Sequence, residues 1–227
     1  MKITSENAVK VLKILNKLYP QKGDMDLGNA HDTLLGVLMS ARTTDVQVLR
    51  VFPSFRKTFP TWESLASANV NTIAKSINTI GLYRTKAKSI KGLARMILKD
   101  FDGKVPGTME ELVSLPGVGR KTASCVLSYF FKVPAVAVDT HVFRIARRLG
   151  WSSGKTPELV EKDIMELVPR RNWNDINHSM VRFGRDVCVA RKPQCWRCPV
   201  AKLCSYSTKI LFPVCRKLST LGVFFLG

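Results

Sequence analysis

Leu115-Pro116-Gly117-Val118-Gly119-Arg120-Lys121-Thr122-Ala123, followed after an apolar run by Val138-Asp139-Thr140-His141, is the part of this chain that decides its reading. Two glycines two residues apart, behind a proline, make a tight turn that bulkier residues would resist. The apolar-rich segment Thr122–Phe131 reads as a helix, so the turn delivers the chain to a helix N-terminus. Backbone N–H groups point outward there with a partial positive charge, which suits a phosphate oxygen. Lys121 stands in the first turn, where the helix dipole mildly disfavours a cation, so something other than helix stability keeps it there. Eighteen residues later Asp139 ends the strand-like run Ala135–Val138 and opens a helix over Thr140–Leu149. Alone, Asp139 would be an N-cap, and Lys121 a solvated lysine on a turn.

Outward from this hairpin the chain reads as all-α. Glycines and prolines divide it into short segments with helical apolar spacing and almost no alternation. Helices are predicted over Ser5–Tyr19, Thr33–Met39, Asp45–Thr58, Trp62–Ala68, Val70–Ile77 and Lys86–Lys99. Others follow over Thr108–Ser114, Pro157–Val168 and Asn174–Arg185. Ile80-Gly81-Leu82-Tyr83-Arg84-Thr85-Lys86-Ala87 echoes the hairpin: a glycine turn, then a basic residue opening a helix. That helix carries Arg84, Lys86, Lys88, Lys91, Arg95 and Lys99, usually a solvated face but here a candidate phosphate footprint.

At 227 residues the chain can bury a proper core. Its 36 Lys and Arg against 17 Asp and Glu leave a charge of +19, which points to a polyanionic partner, nucleic acid before an anionic membrane. A membrane binder would need bulky aromatic anchors on its basic helix, and Gly81–Lys99 lacks them. Met1–Glu6 has no signal-peptide core, so an intracellular location is expected. The apolar tail 210–227 is too short and interrupted to span a membrane.

Cys188, Cys195, Cys198 and Cys204 pack four thiols into seventeen residues. In an intracellular chain such a cluster reads as metal ligands, and spacing physics leaves both Zn²⁺ and [4Fe–4S] open. Cys125 lies on the apolar helix as a core thiol, and Cys215 falls outside the set.

Hairpin, Lys121 and Val-Asp-Thr-His together resemble the helix-hairpin-helix DNA glycosylases, and within them the endonuclease III family, which also has the six–two–five cysteine spacing. The likeness runs from roughly Glu6 to Tyr206. It implies a two-lobed helix-hairpin-helix glycosylase fold with a C-terminal four-cysteine iron–sulfur loop. One lobe, residues 22–133, would be a helical bundle containing the hairpin. The other, 1–21 with 134–209, would hold a [4Fe–4S] cluster on Cys188, Cys195, Cys198 and Cys204; 210–227 remains unassigned. Lys121 would be the nucleophile and Asp139 its partner. Gly117, Gly119, Arg120, His141, Arg191 and Lys192 would meet DNA, with Leu82 as a wedge entering the duplex. Arg42, in Met39-Ser40-Ala41-Arg42-Thr43-Thr44-Asp45, stands where the family usually has Gln, the residue that faces the orphaned base.

The implied activity is base excision repair by a monomer acting on double-stranded DNA with a damaged base or abasic site, and not on a membrane. Lys121 would attack C1′ of the flipped nucleotide, displace an oxidised pyrimidine and form a Schiff base, and β-elimination would cut the strand. Attack needs a neutral amine, so a depressed lysine pKa is expected, from desolvation, neighbouring positive charge and the helix N-terminus. Two alternatives stand beside this reading. One is a same-fold glycosylase for mismatched thymine or uracil. The other is a non-enzymatic helix-hairpin-helix DNA-binding module with structural zinc, which leaves the Lys121–Asp139 pair unexplained.

Overall fold

A computed structural model describes residues 3–20, 25 and 27–209. The tail 210–227, with Cys215, lies outside the described residues, as do most of the first positions of the predicted bundle lobe. The described residues form eleven α-helices and three short 3-10 turns, with no strand. In chain order the helices are α1 (Ser5–Leu18), α2 (Ala30–Ser40), α3 (Asp45–Thr58), α4 (Trp62–Ser67), α5 (Val70–Ser76) and α6 (Tyr83–Asp100). They continue as α7 (Met109–Ser114), α8 (Arg120–Tyr129), α9 (Thr140–Leu149), α10 (Pro157–Leu167) and α11 (Asn174–Asp186). Three of them start earlier than apolar spacing predicts: α2 and α6 by three residues, α8 by two. The reason is physical. Periodicity marks only the turns that are buried, whereas a helix begins where its first N–H groups find an acceptor or a turn delivers them.

Eight helices begin at a residue whose side chain accepts from an N–H of the first turn: Thr4, Asn29, Thr44, Thr61, Asn69, Thr108, Asp139 and Thr156. Each such cap stabilises its helix by about 1 kcal/mol. Helices α6 and α8, the two behind the glycine turns, have none, nor does α11, which continues from a 3-10 turn. Their first N–H groups are therefore not taken up by a capping side chain.

Buried apolar side chains fall into two clusters. One gathers α2 to α8 around Phe55, Leu65, Ile90 and Leu93. The other joins α1 to α9, α10 and α11 around Leu12, Leu15, Ile145 and Phe183. The chain passes from one to the other through Ala135–Val138, which behaves as the alternating apolar run suggests. Ala135 and Ala137 face the first cluster, Val136 and Val138 the second. An extended backbone turns successive side chains to opposite sides, so four residues stitch two cores together and deliver Asp139 at their junction. Among the described residues no helix is long and apolar enough to cross a membrane.

Candidate active site

Lys121 is the second residue of α8, half-buried behind the uncapped turn at Gly119. Asp139 caps α9 through one oxygen: Oδ1 accepts from the N–H groups of His141 at 2.9 Å and Val142 at 2.8 Å. Oδ2 takes no part in the cap. The two residues are close enough for their charges to act on one another. Burial pulls the Lys121 ammonium down, but Cys125, Asp139 and Asp45 more than offset it, and the amine is held above the ordinary lysine value. This corrects the expected depression. The site surrounds the amine with acceptors and carboxylates rather than with positive charge, and opposite charge favours the protonated form.

Of the two hairpin glycines only Gly117 is required by the protein itself. Its φ is +81°, and a Cβ there would lie 2.6 Å from Cβ of Ser89 on α6. Gly119 has open space around it, so the sequence argument that bulk is resisted at both positions fails there. Arg120 is also reassigned. Its guanidinium is committed to Glu161 of α10, donating from Nε at 3.1 Å and from Nη2 at 2.8 Å, instead of standing free for phosphate. Glu161 is buried, so this bidentate pair fastens α8 to α10.

His141 Nδ1 lies 3.1 Å from Arg144 Nη2. Burial lowers the His141 pKa, opposed by Asp139 and reinforced by Arg144 and Arg185. Arg144 also donates to the carbonyls of Gly184 at 3.1 Å and Cys188 at 3.0 Å, tying the start of α9 to the first cysteine.

Arg42 and Leu82 come from loops forty residues apart and are brought side by side. Both are exposed, and each holds a left-handed backbone, with φ of 57° and 59°. Leu82 leaves 54% of its surface in solvent. Such a backbone costs a non-glycine residue about 1–2 kcal/mol, so these tips are held by their surroundings. The basic helix α6 is less of a phosphate footprint than its composition suggests. Lys86 is buried. Lys91 and Arg95 donate to the carbonyls of Ala68 and Ala66, at 2.5 and 3.2 Å, closing the end of α4. Lys88 and Lys99 remain exposed, and Arg84 lies over the Tyr83 ring.

Cys188, Cys195, Cys198 and Cys204 line one pocket, walled by Ile145, Leu149, Phe183 and Val200. Arg148 wraps the loop that leads from the first ligand, donating to the carbonyls of Val189 and Ala190, both at 2.8 Å, and to Cys188 Sγ at 3.3 Å. Among the described residues no three potential ligands converge closely enough to hold a single metal ion. Four thiols lining one apolar pocket are a donor set that an iron–sulfur cluster fits. Arg191 and Lys192 are exposed on this loop, with Lys192 at φ 53°. Arg197 pairs with Asp186 at 2.6 Å.

Sequence reasoning missed several residues around the lysine. Asp45, in the first turn of α3, acts on the Lys121 charge. Cys125, one turn below on α8, hydrogen-bonds to Lys121 and Tyr129, and its own burial pushes the thiol pKa up. Tyr129 donates to Asn177 Oδ1 at 3.4 Å, and Asn177 donates to the Ala137 carbonyl at 2.9 Å, two residues before Asp139. The i, i+4, i+8 spacing of Lys121, Cys125 and Tyr129 was a visible signal for one shared face; Asn177 had none.

Residues 35–170 match the HhH-GPD superfamily of base excision DNA repair proteins, and 188–204 match the iron–sulfur binding domain of endonuclease III. Endonuclease III from Synechocystis sp. (strain ATCC 27184 / PCC 6803 / Kazusa) is 41% identical over 88% of this chain and 92% of its own length. A trapped endonuclease III–DNA covalent intermediate superposes with a TM-score of 0.84 at 36% identity, over 90% of this chain and 97% of that one. A thermostable thymine-DNA glycosylase does so at 0.75 with 28% identity, over 88% and 95%.

Proposed function

The chain belongs to the endonuclease III family of HhH-GPD base excision repair proteins, and from that membership we propose how its own residues carry out the reaction. It is a DNA glycosylase with abasic-site lyase activity that acts on damaged pyrimidines in DNA and uses a [4Fe–4S] cluster. Lys121 is the nucleophile. Its amine begins protonated, because Cys125, Asp139 and Asp45 together outweigh its burial, and it becomes reactive by passing that proton on. Asp139 is the acceptor: Oδ1 stays bound to the α9 N-terminus while Oδ2 is outside the cap. The freed amine attacks C1′, the C1′–N bond to the base breaks and the base leaves, taking up a proton; the C1′–O4′ bond then opens, O4′ takes a proton from the attached nitrogen, and a protonated imine forms. Loss of a proton from C2′ of the resulting imine expels the 3′ phosphate.

The observation that carries this reading is a half-buried lysine at an uncapped helix start with a carboxylate acting on its charge. The open N-terminus of α8, with room at Gly119 for a backbone phosphate, supports DNA contact through Gly117 and Gly119. His141 would contact phosphate, Leu82 would enter the stack, and Arg42 would face the unpaired base. The two buried clusters support lobes spanning 22–133 and 1–21 with 134–209, and DNA would run between them. Cys188, Cys195, Cys198 and Cys204 would hold the cluster. When bound it cross-links their loop, so that Arg191 and Lys192 meet phosphate with little entropy left to lose. The enzyme would work as a monomer wherever the cell keeps its DNA, in the cytoplasm or nucleoid of a bacterium.

Borohydride trapping tests the assignment on duplexes carrying thymine glycol or an abasic site. A covalent adduct on both, absent from Lys121→Ala, is the expected outcome. Trapping on the abasic duplex alone would move the substrate toward another base, with Arg42 responsible. No adduct on either from cluster-loaded enzyme would overturn the nucleophile.

A further inference from the structure

The two loops that carry Arg42 and Leu82 are joined by a contact that the mechanism above does not use. Thr43 Oγ1 accepts from the Gly81 N–H at 3.1 Å and from Lys86 Nζ at 3.0 Å. Lys86 Nζ also donates to the Met39 carbonyl at 2.7 Å, in the last turn of α2, where a cation suits the helix dipole and an unpaired carbonyl needs a donor. The loops touch backbone to backbone as well, since a Cβ on Gly81 would lie 3.1 Å from the Arg42 carbonyl oxygen. Lys86 is only 6% exposed, and burial alone pushes its pKa down to about 8. Among the described residues no carboxylate compensates the cation, so keeping a lysine here costs stability that an apolar residue would not. A costly buried group calls for a reason, and the residues it ties supply one. Left-handed backbone at a non-glycine residue persists only where neighbours over-determine it, and Arg42 and Leu82 both adopt it on either side of the clasp.

We infer that Lys86 and Thr43 are positioning residues that fix the separation between Arg42 and Leu82, so that the wedge and the residue facing the orphaned base enter the duplex as one rigid unit. The inference rests on the reading that Arg42 and Leu82 enter DNA. Neither Lys86 nor Thr43 touches substrate. The clasp acts on the opening of the duplex and not on Lys121.

Lys86→Met, which keeps the length and apolar stem of the side chain, and Thr43→Val, which removes only the shared acceptor, separate these steps. Each variant, loaded with its cluster, is measured for excision of thymine glycol from a duplex and for cleavage of an abasic site in single-stranded DNA, where no stack has to be opened. Fluorescence of a 2-aminopurine placed beside the lesion reports base extrusion. Duplex excision is expected to fall roughly 100-fold in kcat for Lys86→Met and less for Thr43→Val. Extrusion should fade in parallel, single-strand cleavage should be unchanged, and Thr43→Ser should restore both. Unchanged duplex excision in both variants, or equal loss on the two substrates, overturns the clasp. If Lys86→Met does not fold, Thr43→Val decides alone. Leu82→Ala keeps the two ideas apart: unchanged extrusion in that variant overturns the insertion reading, whereas lost extrusion there with normal Lys86→Met and Thr43→Val overturns the clasp only.

Discussion

The turns Ile80-Gly81-Leu82 and Pro116-Gly117-Val118-Gly119 each deliver the chain to a helix with no side-chain cap and a lysine near its start, yet they are built in opposite ways. In the hairpin the glycine itself takes the left-handed conformation, and Ser89 closes the space a side chain would need. In the earlier turn Gly81 is required by a neighbouring carbonyl, and the left-handed residue is Leu82, a bulky apolar group pushed into solvent. The lysines diverge in the same way. Lys121 lies among Cys125, Asp139 and Asp45 and is held above its ordinary value, whereas Lys86 meets a carbonyl and a hydroxyl and falls to about 8. The pattern of glycine turn and basic residue thus yields two amines whose pKa values move in opposite directions. What separates them is the charge that tertiary packing brings to each.

The contrast is tested hardest at Asp139, which caps α9 and is proposed above as the proton acceptor. Asparagine caps as well as aspartate, so Asp139→Asn should melt within about 0.5 kcal/mol of the parent. Its single-turnover excision should nevertheless fall by roughly 10²–10⁴-fold. Removing a carboxylate that raises Lys121 should also move the basic limb of the residual trapping profile to lower pH. Retained excision would shift the acceptor role to Asp45. The next test separates the hairpin glycines. Gly117→Ala combines a left-handed backbone with a clash against Ser89 and should cost about 3 kcal/mol in urea unfolding. Gly119→Ala should unfold like the parent and bind an abasic duplex more weakly, because its free space serves a ligand. Equal destabilisation in the two would mean that both glycines serve the fold.

The smallest effect concerns Lys86. Its folded pKa of about 8 lies below the unfolded value of 10.5, so between those values the unfolded chain binds more protons. Stability contributed by this residue therefore rises with pH across that window and is level below about 8. Urea midpoints of the parent and Lys86→Met at pH 7.5 and 9.5 should show the difference moving in favour of the parent at the higher pH. A difference independent of pH would mean that Lys86 is not a desolvated ammonium.

Much of the architecture is local and was legible. Polar residues such as Thr44 and Asp139 sit where helices begin, and α3 and α9 run over the predicted residues because cap and apolar spacing agree there. The four cysteines fall within seventeen residues, so chain connectivity alone keeps them near one another. The hairpin and Val-Asp-Thr-His carried the family. Arg120 and Lys86 read alike as cations facing DNA and are fastened to Glu161 and to Met39 with Thr43. Nothing local distinguishes such residues, since their partners lie about forty residues away.

The sequence by itself determined the helical character of the described residues, the glycine turn ahead of Lys121 and the grouping of four cysteines, because each depends on spacings of a few residues along one backbone. Only the tertiary structure decided that the Lys121 amine is held above its ordinary value, that Lys86 is buried against a carbonyl and a hydroxyl, and that Ala135–Val138 alternates between two cores. Desolvation and Coulomb energy depend on distance through space. That distance is set when helices remote in sequence pack together, and no reading of neighbours along the chain contains it.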